Sequence, residues 1–114
     1  MKVKVMQDYP NKWPFPGHFP TFAKETQVMM AKEETASFLG WHACSINGYE
    51  TYVPKTFVCD ERLKRDYNPT ELIQKTGDIL EVQEIVHDWL LAMNKNGQTG
   101  WITAEVVVSV RGGA

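Results

Sequence analysis

Lys75-Thr76-Gly77-Asp78-Ile79-Leu80-Glu81-Val82, then Trp89-Leu90-Leu91-Ala92, then Gly97-Gln98-Thr99-Gly100-Trp101-Ile102-Thr103 and Val106-Val107, is the stretch that decides the fold. Its apolar runs are short and each is bounded by a turn signal. Gly77-Asp78 is one turn, and Asn96-Gly97 between Leu90–Met93 and Gly100–Thr103 is another. Asn-Gly between two strand-like runs is a strong hairpin signal, because its two residues are the ones that best tolerate positive φ. Short strands at tight spacing predict a small barrel or sandwich. Helix is weak throughout. Ala23–Ser37 has helical composition but contains Thr26-Gln27-Val28, so it reads as strand and loop. Lys2–Met6 alternates polar and apolar residues, as a half-buried strand does.

The pattern occurs twice. Asp66-Tyr67 is preceded by Asp8-Tyr9, Trp89-Leu90-Leu91-Ala92 by Trp41-His42-Ala43-Cys44, and Asn96-Gly97 by Asn47-Gly48, with Glu50-Thr51-Tyr52-Val53-Pro54 after it. Phe57-Val58 matches Val106-Val107. Order is kept, so one short unit is used twice. The expected division is 1–58, with a long Pro/aromatic loop, and 59–110, followed by a tail at 111–114. The link Val58-Cys59-Asp60-Glu61 has no Gly, Pro or Ser run. It predicts a stiff connection and two units packed against each other.

The chain has 114 residues, 43% hydrophobic, 23% charged, with a formal net charge of −2. This is ordinary globular composition. A basic stripe is missing, which argues against nucleic acid. No apolar run approaches the roughly 20 residues that span a bilayer. The start lacks the apolar stretch of a secretory signal, so a cytoplasmic protein without membrane association is expected. Cys44 and Cys59 form no CxxC pair and are expected to stay reduced there. His18, His42 and His87 have no metal-ligand spacing. Neither a metal nor a cofactor is expected.

The run Asp66-Tyr67, Glu71-Leu72, Gly77-Asp78, Trp89, Gly97, Gly100-Trp101-Ile102 and the closing Val106-Val107 resembles an SH3 domain over residues 62–108. The first copy is a diverged version, and together they resemble the tandem SH3-like modules of bacterial proteins. The resemblance implies an all-β fold of two five-stranded, partly open SH3-like barrels. It also implies an aromatic groove for proline-rich peptides, whose preformed polyproline II helix is cheap to order. The groove positions carried over to the first copy are Tyr9, Trp41, Pro54 and Phe57, with Gln7 at the remaining one. In the second copy only Tyr67 and Trp89 fit. Arg65, Thr103 and Val106 depart from the pattern, and the loop after Tyr67 is short. Ten of the chain's aromatic residues lie within 1–58. The first copy is therefore the expected ligand site.

Pro10–Pro20 holds four prolines, Trp13, Phe15 and Phe19. Three readings are open: a lid on its own barrel, a part of the binding face that includes Trp13, or packing against the second copy. Trp101 reads as core or interface. Glu33-Glu34 and Asp60-Glu61 are adjacent acids, which in a strand point to opposite faces. No nucleophile elbow or phosphate loop is present, and no enzyme is expected. Two classes remain: a non-catalytic module that binds a peptide or protein, and a structural or assembly module with a vestigial groove. A weaker third is an aromatic cage for a methylated cation.

Overall fold

The computed structural model describes residues 1–9, 18–32, 37–38 and 41–110. Among the described residues, eleven strands and two single 3-10 turns make up the regular structure, and no α-helix occurs. The chain divides into two compact units that are interleaved in sequence: Met1–His18 with Thr70–Ala114, and Phe19–Pro69.

The first unit holds β1 (Lys2–Val5), β8 (Ile79–Val86), β9 (Trp89–Met93), β10 (Thr99–Thr103) and β11 (Val107–Val110). They form one antiparallel sheet in the order β10-β9-β8-β1-β11. The Lys-Val-Lys-Val alternation of β1 buries Val3 and Val5 and exposes both lysines. Val5, Leu80, Ala92 and Ile102 are at most 1% exposed, and Tyr9, Leu72, Leu90 and Val106 close around them. A register shift at Val82/Glu84 bends β8. Gly97 takes the positive φ its turn requires, 80°, while the Asn94 side chain accepts the amides of Asn96 and Gln98. The outer edge of β10 is covered by Thr70–Leu72, through Trp101 N to Thr70 O (3.0 Å) and Leu72 N to Trp101 O (2.9 Å). A Cβ at Gly100 would sit 2.9 Å from Thr70 O, so only glycine allows this approach.

The second unit holds β2 (Met29–Met30), β3 (Ser37–Phe38), β4 (Trp41–Ile46), β5 (Tyr49–Pro54), β6 (Val58–Cys59) and β7 (Arg62–Leu63). β4 pairs with β2, β3 and β5, and β6 pairs with β7. The β4–β5 hairpin turns at Asn47 (φ 50°) and Gly48 (φ 84°), as the sequence predicts. Ile46, Val53, Val28 and Leu63 are at most 1% exposed and Phe22 is 3% exposed. Cys44 is buried beside them. Burial disfavours its thiolate and pushes its pKa up to about 12. Cys59 is an exposed free thiol.

Similar backbone bonds occur in the two units. In the first, Gly77 N donates to Val5 O (2.7 Å) and Val5 N to Asp78 O (2.8 Å), and Tyr9 exchanges both backbone bonds with Gln74. In the second, Glu25 N donates to Leu63 O (2.8 Å) and Leu63 N to Thr26 O (2.9 Å), and Tyr67 exchanges both with Phe22. Asp8 accepts the amide of Thr76 and Asp66 that of Lys24.

Two expectations are corrected. A sequential division at 58/59 assigns β1 to the segment that follows it. Instead β1 lies between β8 and β11, and the later Asp-Tyr segment completes Phe19–Pro69. The sheets also do not close into barrels: the first unit is an open five-stranded sheet, and the second is divided between two smaller sheets.

Three outcomes follow from these contacts. Val5→Asp places a charge in a dry core. Amide exchange should then lose protection at Leu90, Ala92 and Ile102 and keep it at Cys44, Ile46 and Val53; the reverse pattern would support sequential units. Gly100→Ala should cost about 1–3 kcal/mol in denaturant unfolding. Tyr9 is buried and its hydroxyl donates to Glu71, so both the burial and the carboxylate raise its pKa above the ordinary 10.0. The unfolded chain releases that proton first, so stability should fall as pH rises above about 10. In Tyr9→Phe this alkaline loss should be smaller, as read by denaturant unfolding at several pH values.

Candidate binding site

The hairpin β4–β5 sets the candidate site through its register. Trp41 pairs with Pro54, Ala43 with Tyr52 and Ser45 with Glu50, so these six share one face. His42, Cys44, Ile46 and Val53 point to the other face and are buried. His42 Nε2 lies 2.5 Å from the carbonyl of Ala31. A carbonyl only accepts, so the ring proton sits on Nε2.

Tyr67 joins the first face. Its ring centroid is 6.2 Å from that of Trp41 and 5.6 Å from that of Phe57, the latter edge-on at 86°. Its hydroxyl donates to the Tyr52 carbonyl at 2.6 Å. Phe57 arrives from the 3-10 turn Lys55–Phe57, immediately after Pro54. The Arg65 guanidinium lies 4.3 Å over the Phe57 ring, a cation–π contact. Trp41, Phe57 and Tyr67 are buried, at 5%, 5% and 2% exposure, and Pro54 is fully buried. Tyr52 is the open edge of the face, at 49% exposure.

The structure therefore brings together Trp41, Pro54 and Phe57 as expected, but with Tyr67 in place of Tyr9. Tyr9 belongs to the other unit, among Leu72, Leu80 and Leu90, with Trp89 packed against that core. Around Trp89 the face is completed by Thr103, Leu91 and Trp101, through the pairs Trp89–Thr103 and Leu91–Trp101. Trp101 is buried, in keeping with its reading as core or interface. The Thr103 hydroxyl is buried without a hydrogen-bond partner among the described residues, a poor lining for an apolar groove. Trp13 and most of the Pro/aromatic stretch lie outside the described residues. Sequence reasoning missed Tyr52. Its signal was the strand period of two, which puts Tyr52 on the face of Pro54.

No group of His, Cys, Asp and Glu that could hold a metal occurs among the described residues. The face consists of packed aromatic rings and a buried proline, with the Arg65 guanidinium over Phe57 and the Tyr52 phenol exposed at its edge. That chemistry suits contact with a peptide or protein surface.

The family model of the variant SH3 domain matches residues 61–110. Searches of curated proteins and of solved structures found no match. The matched span runs from the Asp66-Tyr67 segment through β8 to β11, and it crosses the boundary between the two units. SH3 domains are generally non-catalytic modules of protein interaction, and residues 61–110 of this chain match the variant form of that family.

Proposed function

We propose that the chain is a non-catalytic interaction module that binds a peptide or protein segment on the Trp41–Tyr52–Pro54–Phe57–Tyr67 face, a proline-rich peptide being the ligand class that suits it. The observation that carries this reading is the convergence of Trp41 and Phe57 on Tyr67, with Tyr52 exposed on the same face. The exposed Tyr52 ring, on the sheet face of Trp41 and Pro54, supplies a flat aromatic surface of the kind a polyproline II helix packs on. The exposed free thiol of Cys59 suits a reducing, cytoplasmic setting. Neither a nucleic acid nor a membrane belongs to this proposal.

A second reading has its own support. Trp41, Phe57 and Tyr67 are almost fully buried, and rings that pack on one another can serve a structural or assembly role with the groove vestigial.

An NMR chemical-shift titration of the whole chain with a pool of proline-rich peptides separates the two. Under the first reading, shifts cluster at the Trp41 indole and at Tyr52, Phe57 and Tyr67. Tyr52→Ala, a change at an exposed position, then weakens binding by roughly tenfold, as loss of an aromatic anchor does. Ile85→Ala, at an exposed position of the other unit, serves as the control and leaves binding unchanged. Shifts centred on Trp89 and Thr103 would move the site to the other unit. No shifts with any peptide would leave the structural reading standing.

A further inference from the structure

The hairpin β6–β7 turns on two residues, Asp60 and Glu61, with φ of 51° and 62°. Both are in the left-handed region, and neither is glycine. A two-residue hairpin turn favours Asn-Gly there, because a Cβ crowds the following carbonyl. The turn is therefore strained, and it lies just before a segment with its own complete set of bonds. Val28 N donates to Glu61 O (2.8 Å), Leu63 exchanges bonds with Thr26 and Glu25, and Tyr67 exchanges them with Phe22. Asp66 accepts from Lys24 N, and Arg62 Nη1 donates to Glu25 O. Of these bonds, all but the one at Glu61 are made by the segment and not by the turn. The other unit supports this, since its Asp-Tyr segment makes the equivalent bonds with no such turn attached to it.

We propose that Asp60-Glu61 is a swap hinge through which two copies of this chain exchange the segment Arg62–Tyr67, each segment completing the Phe19–Cys59 body of the other copy. Opening the turn releases the strain of two left-handed residues in each chain. β6 then runs straight into β7, the bonds named above that Arg62–Tyr67 makes are remade between chains, and the partner is a second copy of this chain. Short strained hinges favour such exchange.

Size exclusion with light scattering on the whole chain, across a range of concentrations, gives the first test. A dimer fraction is expected at high concentration and should persist on dilution, because exchange requires the segment to leave its body. Asp60→Asn with Glu61→Gly relaxes the turn and should raise the dimer dissociation constant by roughly tenfold or more. Deletion of both residues should make the dimer dominant. The second test uses Arg62→Cys, because position 62 pairs with Cys59 across the hairpin and lies within disulfide reach. Separated fractions are oxidised when dilute, with the unsubstituted chain as control. The links should be intrachain in the monomer and interchain in the dimer. The proposal fails if the native chain stays monomeric at every concentration, if the Asn-Gly variant dimerises as readily as the native chain, or if the dimer carries only intrachain links. The native chain and the Asn-Gly variant decide the matter even if the deletion does not fold.

Discussion

Each unit rests on a strand that arrives from a distant part of the chain or through a tight turn, and an Asp-Tyr pair follows a few residues after that strand. In both units the strand exchanges backbone bonds with the turn region of the body, the Asp accepts an amide there, and the Tyr pairs with the residue two before that amide. The apolar residues between, Val3 and Val5 in one case and Leu63 in the other, fill the core. Without the strand, a body of a few short hairpins would leave its apolar face in water, and small units have little stability to spare.

The Asp-Tyr segments also decide where aromatic residues converge. Tyr67 folds with the body that carries Trp41, Pro54 and Phe57, so the aromatic positions are concentrated in one unit. Tyr9 folds with the body that carries Thr103 and Val106, and there its ring is part of the core and its hydroxyl serves Glu71. The two units thus make similar backbone bonds and differ in the face they present.

The turns at Asn47-Gly48 and Gly77, the strand periods and the absence of α-helix from the described residues were legible in the sequence, because each is set by neighbours within a few residues. Which Asp-Tyr segment completes which body was not. The two segments make equivalent bonds, so local signals score both pairings alike. Loop closure adds little discrimination, since its entropy grows only with the logarithm of loop length. Sequence order is then a poor guide: it put Tyr9 with Trp41, Pro54 and Phe57, where the structure sets Tyr67 beside them. Tyr52 was missed for a different reason: its role comes from sharing a sheet face with Pro54, which a motif match does not register.

The two proposals meet at Tyr67. This residue stands between Trp41 and Phe57 on the aromatic face and also ends the segment that follows the strained turn. In an exchanged pair the face would be built from Trp41, Tyr52, Pro54 and Phe57 of one copy and Tyr67 of the other. A ligand on that face would then touch both chains at once. Its affinity for the exchanged and unexchanged forms would differ only if the face differs, because a ligand shifts an equilibrium by no more than its differential affinity. Since the ring contacts and the Tyr67–Tyr52 hydrogen bond are remade unaltered, binding and exchange should be nearly independent. The strain at Asp60-Glu61, rather than any occupant of the aromatic face, would set the balance between one copy and two.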